Sequence, residues 1–402
     1  MWKLALRNVG RHRGRTLLSL CAIALGVVSL VVSAGFIDDF FIQLREATIH
    51  SQYGHLQVYR RGYYEFAARA PYRYMIEEPD ALAARLRSVA HVIDVAPRVY
   101  FSGLLSNTRM RVPVIAEGVD AAKELKLSRH MTVTAGSMLL PQTRYGVMVG
   151  DGLARALNLK IGDNVALLVT TREGALNSLD FEVAGIFRSF SKEYDDRALR
   201  MPLASAQELL DTPSVHSLVI DLDDTSNTEE VARAVAALVP RGEFEIKTWY
   251  ELADFYQRAV DLYRRYFLVL RAIIFAMVLL AVVNSVNMTI YERTGEYGML
   301  RAMGNRRKEI RQLILAENTL LGLIGSSAGI VLGIGIALVV SAVGVPMPPM
   351  PNSSVGYTAA VHLSGREVFV SFMVGLFATC LAAVAPAWRA SRVPIVTALA
   401  RN

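Results

Sequence analysis

Lysine is scarce, and no lysine follows a glycine. The seven stand at Lys3, Lys123, Lys126, Lys160, Lys192, Lys247 and Lys308. A phosphate-binding loop needs a Gly-Lys step, so that backbone amides and an ammonium grip the phosphates together. Its absence excludes ATP hydrolysis by this chain alone. If ATP and Mg2+ drive the protein, a separate ATPase subunit binds them, and this chain carries no cofactor. Cysteine is scarcer still. Cys21 and Cys380 both fall in apolar runs and make neither a disulfide framework nor a metal-binding spacing. The seven histidines are scattered. His50 and His55 are neighbours, but no third ligand stands near them in sequence. They read as surface or stalk polar groups, and no metal site is expected. The water-facing part of the chain has no G-x-S-x-G nucleophile elbow, and the chain has no nucleic-acid fold motif. No catalytic residue is assigned.

What the chain has is apolar length. Of its 402 residues 53% are hydrophobic, with 20% charged and a mean hydropathy of +0.32. Such a balance implies membrane spans beside a sizeable water-facing domain. Four runs are long enough to cross a bilayer as helices, which takes ~20 apolar residues. They are residues 17–36, 267–291, 313–345 and 368–388. A cleaved signal peptide is the rival reading of the first. The net charge is +7, but it is unevenly placed. Basic residues crowd into 1–16, 292–312 and 389–402, which puts these three segments on the cytoplasmic side. The N-terminal stretch reads as an amphipathic segment along the inner membrane surface. The outer loop 346–367 is proline-rich and has no basic residue before Arg366.

Residues 37–266 read as stalks and a periplasmic domain. Phe36, Phe40, Leu44 and Ile49, and later Trp249, Leu252, Tyr256, Tyr263 and Tyr266, recur at helical spacing. Two such stalks entering one membrane should pack together. Between them strands are expected near Tyr53–Arg60, His91–Tyr100, His216–Asp221 and Phe244–Lys247. Helices are expected at Asp80–Ser88 and Thr228–Leu238. This is β-α-β twice, a split sandwich. An inserted lobe occupies about 117–203, with short strands at Val147–Val149, Val165–Thr170 and Phe181–Phe187.

Inside the spans, Gly325, Gly329 and Gly333 share one helix face and let a neighbouring helix approach closely. That neighbour belongs to the same subunit or to a second one. Asn284, Ser285 and Asn287 suit hydrogen bonds between helices. Arg271 and Glu317 lie near span ends, where snorkelling or pairing within the bundle is expected.

The interval between the second and third spans has internal order. Glu292 to Met303 suits a short helix, Gly304 a left-handed stop, and Asn305 the cap of the next helix. ERTGEYGMLRAMGNRRKEI resembles the signature of the FtsX-like/MacB-type permease family of ABC transporters, roughly E-R-x-x-E-x-G-x-L-R-A-x-G. Glu292, Arg293, Glu296, Gly298, Leu300, Arg301, Ala302 and Gly304 stand at its positions. The C-terminal PAWRASRVPIVTALA resembles a second family signature through Pro386, Arg389, Ala390, Pro394, Ala398 and Leu399. GVMVGDGLARALNLKIGDNVALLV resembles the family's inserted Sabre lobe, the flanking lobe being Porter-like.

The resemblance implies an α+β membrane protein: four transmembrane helices and a large two-lobed extracytoplasmic α/β domain between helices 1 and 2. It implies a permease subunit in the inner membrane, multi-pass, with both termini cytoplasmic. A cytoplasmic ATPase would push on Glu292–Met303, with Glu292, Arg293, Glu296, Gly298, Leu300, Arg301 and Gly304 as the coupling residues, and the outer domain would move. The absent phosphate-binding loop is like the LolC/LolE kind, which has no fused ATPase. The expected partners are ABC ATPase subunits, a second permease (identical or not), a periplasmic substrate, carrier or adaptor protein, and membrane lipids. Lipoprotein or lipid extraction is the first expectation. The alternatives are a tripartite drug or peptide efflux permease, or a non-transporting regulator of a cell-wall hydrolase.

Overall fold

The computed structural model describes residues 13–67, 69–127, 131–189, 191–240, 242–349 and 356–394. The amphipathic stretch through residue 12, Pro351, and Ala398 and Leu399 of the C-terminal signature lie outside them. The chain divides into two compact units, one made of residues 1–42, 260–346 and 358–402, the other of residues 43–259 and 347–357.

The first unit is helical. Among the described residues four helices are long and apolar enough to cross a membrane: α1 (Arg13–Thr48), α2 (Asp254–Glu292), α4 (Arg307–Val343) and α5 (Gly365–Ala390), with the short α3 (Thr294–Ala302) between the second and third. At 1.5 Å per residue, the 36 residues of α1 and 39 of α2 reach ~54 Å and ~58 Å, well beyond a ~30 Å hydrocarbon layer. Both helices therefore run past their apolar cores, and the aromatic rows there do meet. Phe40 lies edge-on to Tyr263, with ring centroids 4.9 Å apart.

The three glycines of α4 determine how closely α1 approaches. A Cβ on Gly329 would stand 2.7 Å from the Val27 Cβ and 2.8 Å from the Ala24 carbonyl oxygen. One on Gly325 would meet Ile23 at 2.9 Å, and one on Gly333 would meet Val31 at 3.1 Å. So the smooth face of α4 is used within the chain, against α1. Ile23, Val27 and Val31 then pack on Val278, Val282 and Val286 of α2 and on Ala378 and Ala382 of α5. Ser19 and Ser285 exchange a hydrogen bond across the α1–α2 contact. Arg271 pairs with Glu367 at 2.8 Å. Leu268, Leu280, Val331, Val339, Phe369 and Phe377 are left exposed on the outside of the bundle, as a lipid-facing surface requires.

The second unit is built on one twisted sheet. Its strands are β1 (Leu56–Arg60), β2 (Val92–Ser106), β3 (Arg111–Val119), β4 (Thr132–Gly136), β5 (Gly146–Gly150), β6 (Asn164–Thr170), β7 (Leu176–Arg188), β8 (Ala198–Pro202), β9 (Ser217–Leu222) and β10 (Phe244–Thr248). The order is β10-β1-β9-β2-β3-β8-β5-β7-β4, with β6 pairing both β2 and β7. In the order β10, β1, β9 and β2 each strand is antiparallel to its neighbour, and helices Pro79–Arg87 and Thr228–Leu238 complete the split β-α-β pair. The expected lobe inside a lobe is therefore present, but the two share one sheet. Strand β2 is the bridge. It was expected to stop at Tyr100, yet it runs to Ser106, pairing first with β9 and then with β3 and β6. Gly103 permits the crossing, because a Cβ there would meet the Leu168 carbonyl oxygen at 2.9 Å.

Two buried titrating groups in this unit oppose each other. Burial pushes the His216 imidazole down to about 4, while its Nδ1 accepts a hydrogen bond from the Tyr100 amide at 3.1 Å. As pH falls from 6.5 towards 4, the unfolded chain binds a proton that folded His216 refuses. Stability is lost in that window, on the order of 3 kcal/mol in all. Burial pushes Asp195 up to about 6 although Ser189 donates to it. Folded Asp195 takes up its proton first, so it adds stability as pH falls from 6 to 3.8. The wild-type profile is thus flattened by two opposite slopes. His216→Gln should melt at a temperature that declines less between pH 6.5 and 4.5 than wild type does, and parallel profiles would refute the assignment.

Candidate coupling site

Arg293 sits in the turn between α2 and α3, where both helices break. Its Nε donates to Glu296 Oε2 at 2.9 Å, and its Nη1 donates to Glu317 Oε2 at 2.8 Å. The guanidinium lies over the Tyr297 ring, 5.3 Å from its centroid. Arg293 and Glu317 are both buried. One side chain therefore fastens the start of α3 to the third turn of α4. Burial pushes the Tyr297 phenol above its usual range, helped by Glu317, so that hydroxyl stays neutral.

The other end of α3 is also pinned. Arg301 Nη1 donates to the Val393 carbonyl at 2.6 Å, beyond the end of α5. Leu300 packs against Ile310 and Leu313 of α4. The chain then closes with Gly304 N–H to the Arg301 carbonyl and Asn305 N–H to the Leu300 carbonyl, while Gly304 adopts φ +98°. Nothing lies within 4 Å of a Gly304 Cβ, so glycine is demanded here by backbone conformation and not by space. Asn305 was expected to cap α4. Its amide is spent closing α3, and the cap falls one residue later, where Glu309 accepts the Arg306 amide at 2.8 Å.

Glu292 closes α2, and Gly298 is buried on the inner face of α3. Gly298 lines a crevice of about 10 Å³ with Thr294, Tyr297, Arg301, Ala390 and Val393. That space holds a water at most. The arrangement suits a mechanical contact rather than a small-molecule site. Its outward tip, Ala302 to Lys308, is exposed throughout and carries Met303, Arg306, Arg307 and Lys308. Glu317 is the partner that motif reading left out. The signal for it was energetic: a carboxylate within an apolar span is costly unless paired.

The sheet unit holds a second polar cluster with no sequence motif behind it. Glu124 accepts Arg98 Nη2 on both oxygens, at 3.0 and 3.1 Å, and Arg200 Nη1 at 2.8 Å. Arg200 Nε lies 3.1 Å from Glu117 Oε2. The two guanidiniums also donate to the carbonyls of Gln52 and Ser51. Beside the cluster lies a cavity of about 320 Å³, lined in part by Tyr59, Tyr63, Tyr64, Tyr100, Tyr194 and Glu117.

Residues 16–238 match the MacB-like periplasmic core domain, and residues 267–395 match the FtsX-like permease C-terminal domain. The chain belongs to the FtsX-like/MacB-type permease family. Among its relatives, this permease is 24% identical over 400 residues to the lipoprotein-releasing system transmembrane protein LolC of Xylella fastidiosa, covering 95% of this chain and 92% of that one. It is 22% identical to the corresponding LolE of Haemophilus influenzae, over 80% of this chain and 76% of that one. It is 31% identical to the macrolide export ATP-binding/permease protein MacB of Nitrobacter winogradskyi, over 70% of this chain but only 41% of that longer protein. The permease is thus an ABC transporter permease of the LolC/LolE/MacB type and a multi-pass inner-membrane protein.

Proposed function

We propose that this permease passes force from a separate cytoplasmic ATPase to its extracytoplasmic domain, and that the work extracts lipoproteins or related lipid-anchored substrates from the membrane. The observation that carries the reading is the clamped α3. Arg293 fixes its first turn to α4, and Arg301 fixes its last turn to the segment after α5. A helix held at both ends moves only by taking its neighbours with it. Its exposed tip offers cations and a flexible methionine to a partner protein. ATP and Mg2+ belong to that partner, and both termini of this chain are cytoplasmic. A second permease subunit covers part of the apolar outer surface, and lipid covers the rest. The likeness to LolC along nearly its full length favours lipid-anchored cargo over drug export.

The test is reconstitution of the native assembly with its ATPase in lipid vesicles. Glu296→Ala and Arg301→Ala should lower ATP-driven release of a lipoprotein at least tenfold while ATP hydrolysis continues. Normal release in both variants, or release by wild type with no ATPase bound, would reject the reading.

A further inference from the structure

The last turn of α1 does not end in an ordinary cap. It passes into a single π-helical turn, Ile49–Tyr53, a rare form that is frequent at functional sites. His50 lies in that turn, His55 just before β1, and Asp221 in β9. These are not the surface groups expected from sequence: they are 9%, 1% and 1% exposed. The third ligand that was missing near the histidines comes from the other end of the unit.

Hydrogen bonds orient both rings. His50 Nε2 faces Glu46 Oε2 at 3.4 Å, and His55 Nε2 faces Thr225 Oγ1 at 3.2 Å. Thr225 in turn donates to Glu46 Oε1 at 3.2 Å, so its oxygen receives the His55 proton. Acceptors on both outer nitrogens place the ring protons there and turn each Nδ1 lone pair inward. The Leu222 amide donates to His55 Nδ1 at 3.1 Å, which independently marks that atom as an acceptor. Yet Asp221 Oδ1 lies 3.1 Å from His55 Nδ1 and 3.9 Å from His50 Nδ1. All three donor atoms fall within 4.8 Å of one another. Lone pairs and an anionic oxygen converging in a buried space repel unless a cation lies among them. Ligands ~2.0–2.1 Å from a tetrahedral zinc stand ~3.3 Å apart, and the two measured spacings bracket that value.

We propose that His50, His55 and Asp221 form a binding site for a divalent transition metal, Zn2+ by ligand preference. Glu46 and Thr225 are its outer shell, the carboxylate–histidine–metal arrangement that fixes ring orientation. Loading takes the His55 lone pair from the Leu222 amide and leaves a fourth position for water. The bound ion staples the end of α1 to β1 and β9.

The experiment uses the full chain in detergent, without a histidine tag, stripped with a chelator and titrated with ZnCl2 by calorimetry. Wild type should bind one Zn2+ per chain, and its melting temperature should climb with Zn2+ concentration. Cobalt in place of zinc should give the visible bands of a tetrahedral site. His55→Gln and Asp221→Asn should each weaken binding at least tenfold. Glu46→Gln should keep the stoichiometry and lose roughly tenfold in affinity. His91→Gln should bind as wild type does, since His91 pairs with Asp223 at the surface. If Asp221→Asn fails to fold, His50→Gln takes its place. Absence of stoichiometric zinc on wild type, or loss of zinc equal in His91→Gln and His55→Gln, overturns the proposal.

Discussion

Glu124→Ala should lower the melting temperature of the sheet unit by roughly 10 °C, the largest effect expected of any single change outside the membrane. Glu124 stands between two buried arginines and accepts three hydrogen bonds from them. Alanine removes that carboxylate and leaves Arg98 and Arg200 with one remaining carboxylate, Glu117. Breaking a buried ion pair from one side costs about 3–5 kcal/mol, because the survivor is still desolvated. For a unit of this size each kcal/mol shifts melting by about 2–4 °C. The same arginines hold the carbonyls of Ser51 and Gln52, so the π-helical turn should loosen as well. Amide hydrogen exchange should quicken at 49–53 before it quickens in β9. A drop under 2 °C would show that the cluster contributes little. A quadruple replacement, Arg98→Met with Glu117→Gln, Glu124→Leu and Arg200→Met, removes every charge of the cluster together, so that no carboxylate is left buried alone. It should be far less harmful than Glu124→Ala, since replacing a buried ion cluster by apolar groups is often close to neutral.

That cluster also marks the limit of what the residues disclosed beforehand. Arg98 and Glu124 are 26 positions apart, and Arg200 is 76 beyond Glu124. Each looks like an ordinary surface charge until β2, β8 and the helix Ala121–Leu127 are folded together. His50 and His55 present the same difficulty, because Asp221 reaches them only once β9 lies beside β1. Strand β4 gave no alternation to read, being almost wholly exposed, and β3 and β8 are drawn into the sheet by pairing rather than by pattern. The interval between α2 and α4 was legible for the opposite reason. Its charges lie between two apolar runs that can only be spans, and Gly304 declares a backbone conformation that few other residues adopt. The spans themselves were legible as apolar cores, and the helical spacing from Phe36 to Ile49 showed the first helix running on beyond its core. Helix α1 continues to Thr48 through residues whose partners lie across the fold.

Glu317→Ala should have the largest effect within the membrane unit, and its consequences separate a structural clamp from a transmission element. Arg293 would keep Glu296, but that carboxylate is 44% exposed and screened by water, so it compensates poorly. The cost should reach at least ~3 kcal/mol, as for any buried guanidinium stripped of its partner. Glu296→Ala should cost well under half as much. Stability alone would not show what the pair does. In the double variant Arg293→Met, Glu317→Leu no charge is stranded, and thermal stability in detergent should return close to wild type. If the ion pair matters only for holding the bundle together, ATP-driven release in the reconstituted complex should return with it. If α3 must be gripped in one orientation for the ATPase stroke to reach α4, release should stay at least tenfold down. A methionine fills the space but accepts any angle, whereas a guanidinium bound to two carboxylates and resting on Tyr297 accepts one. Restored stability with restored release would remove Arg293 from the coupling path and leave Arg301 as the attachment that carries the stroke.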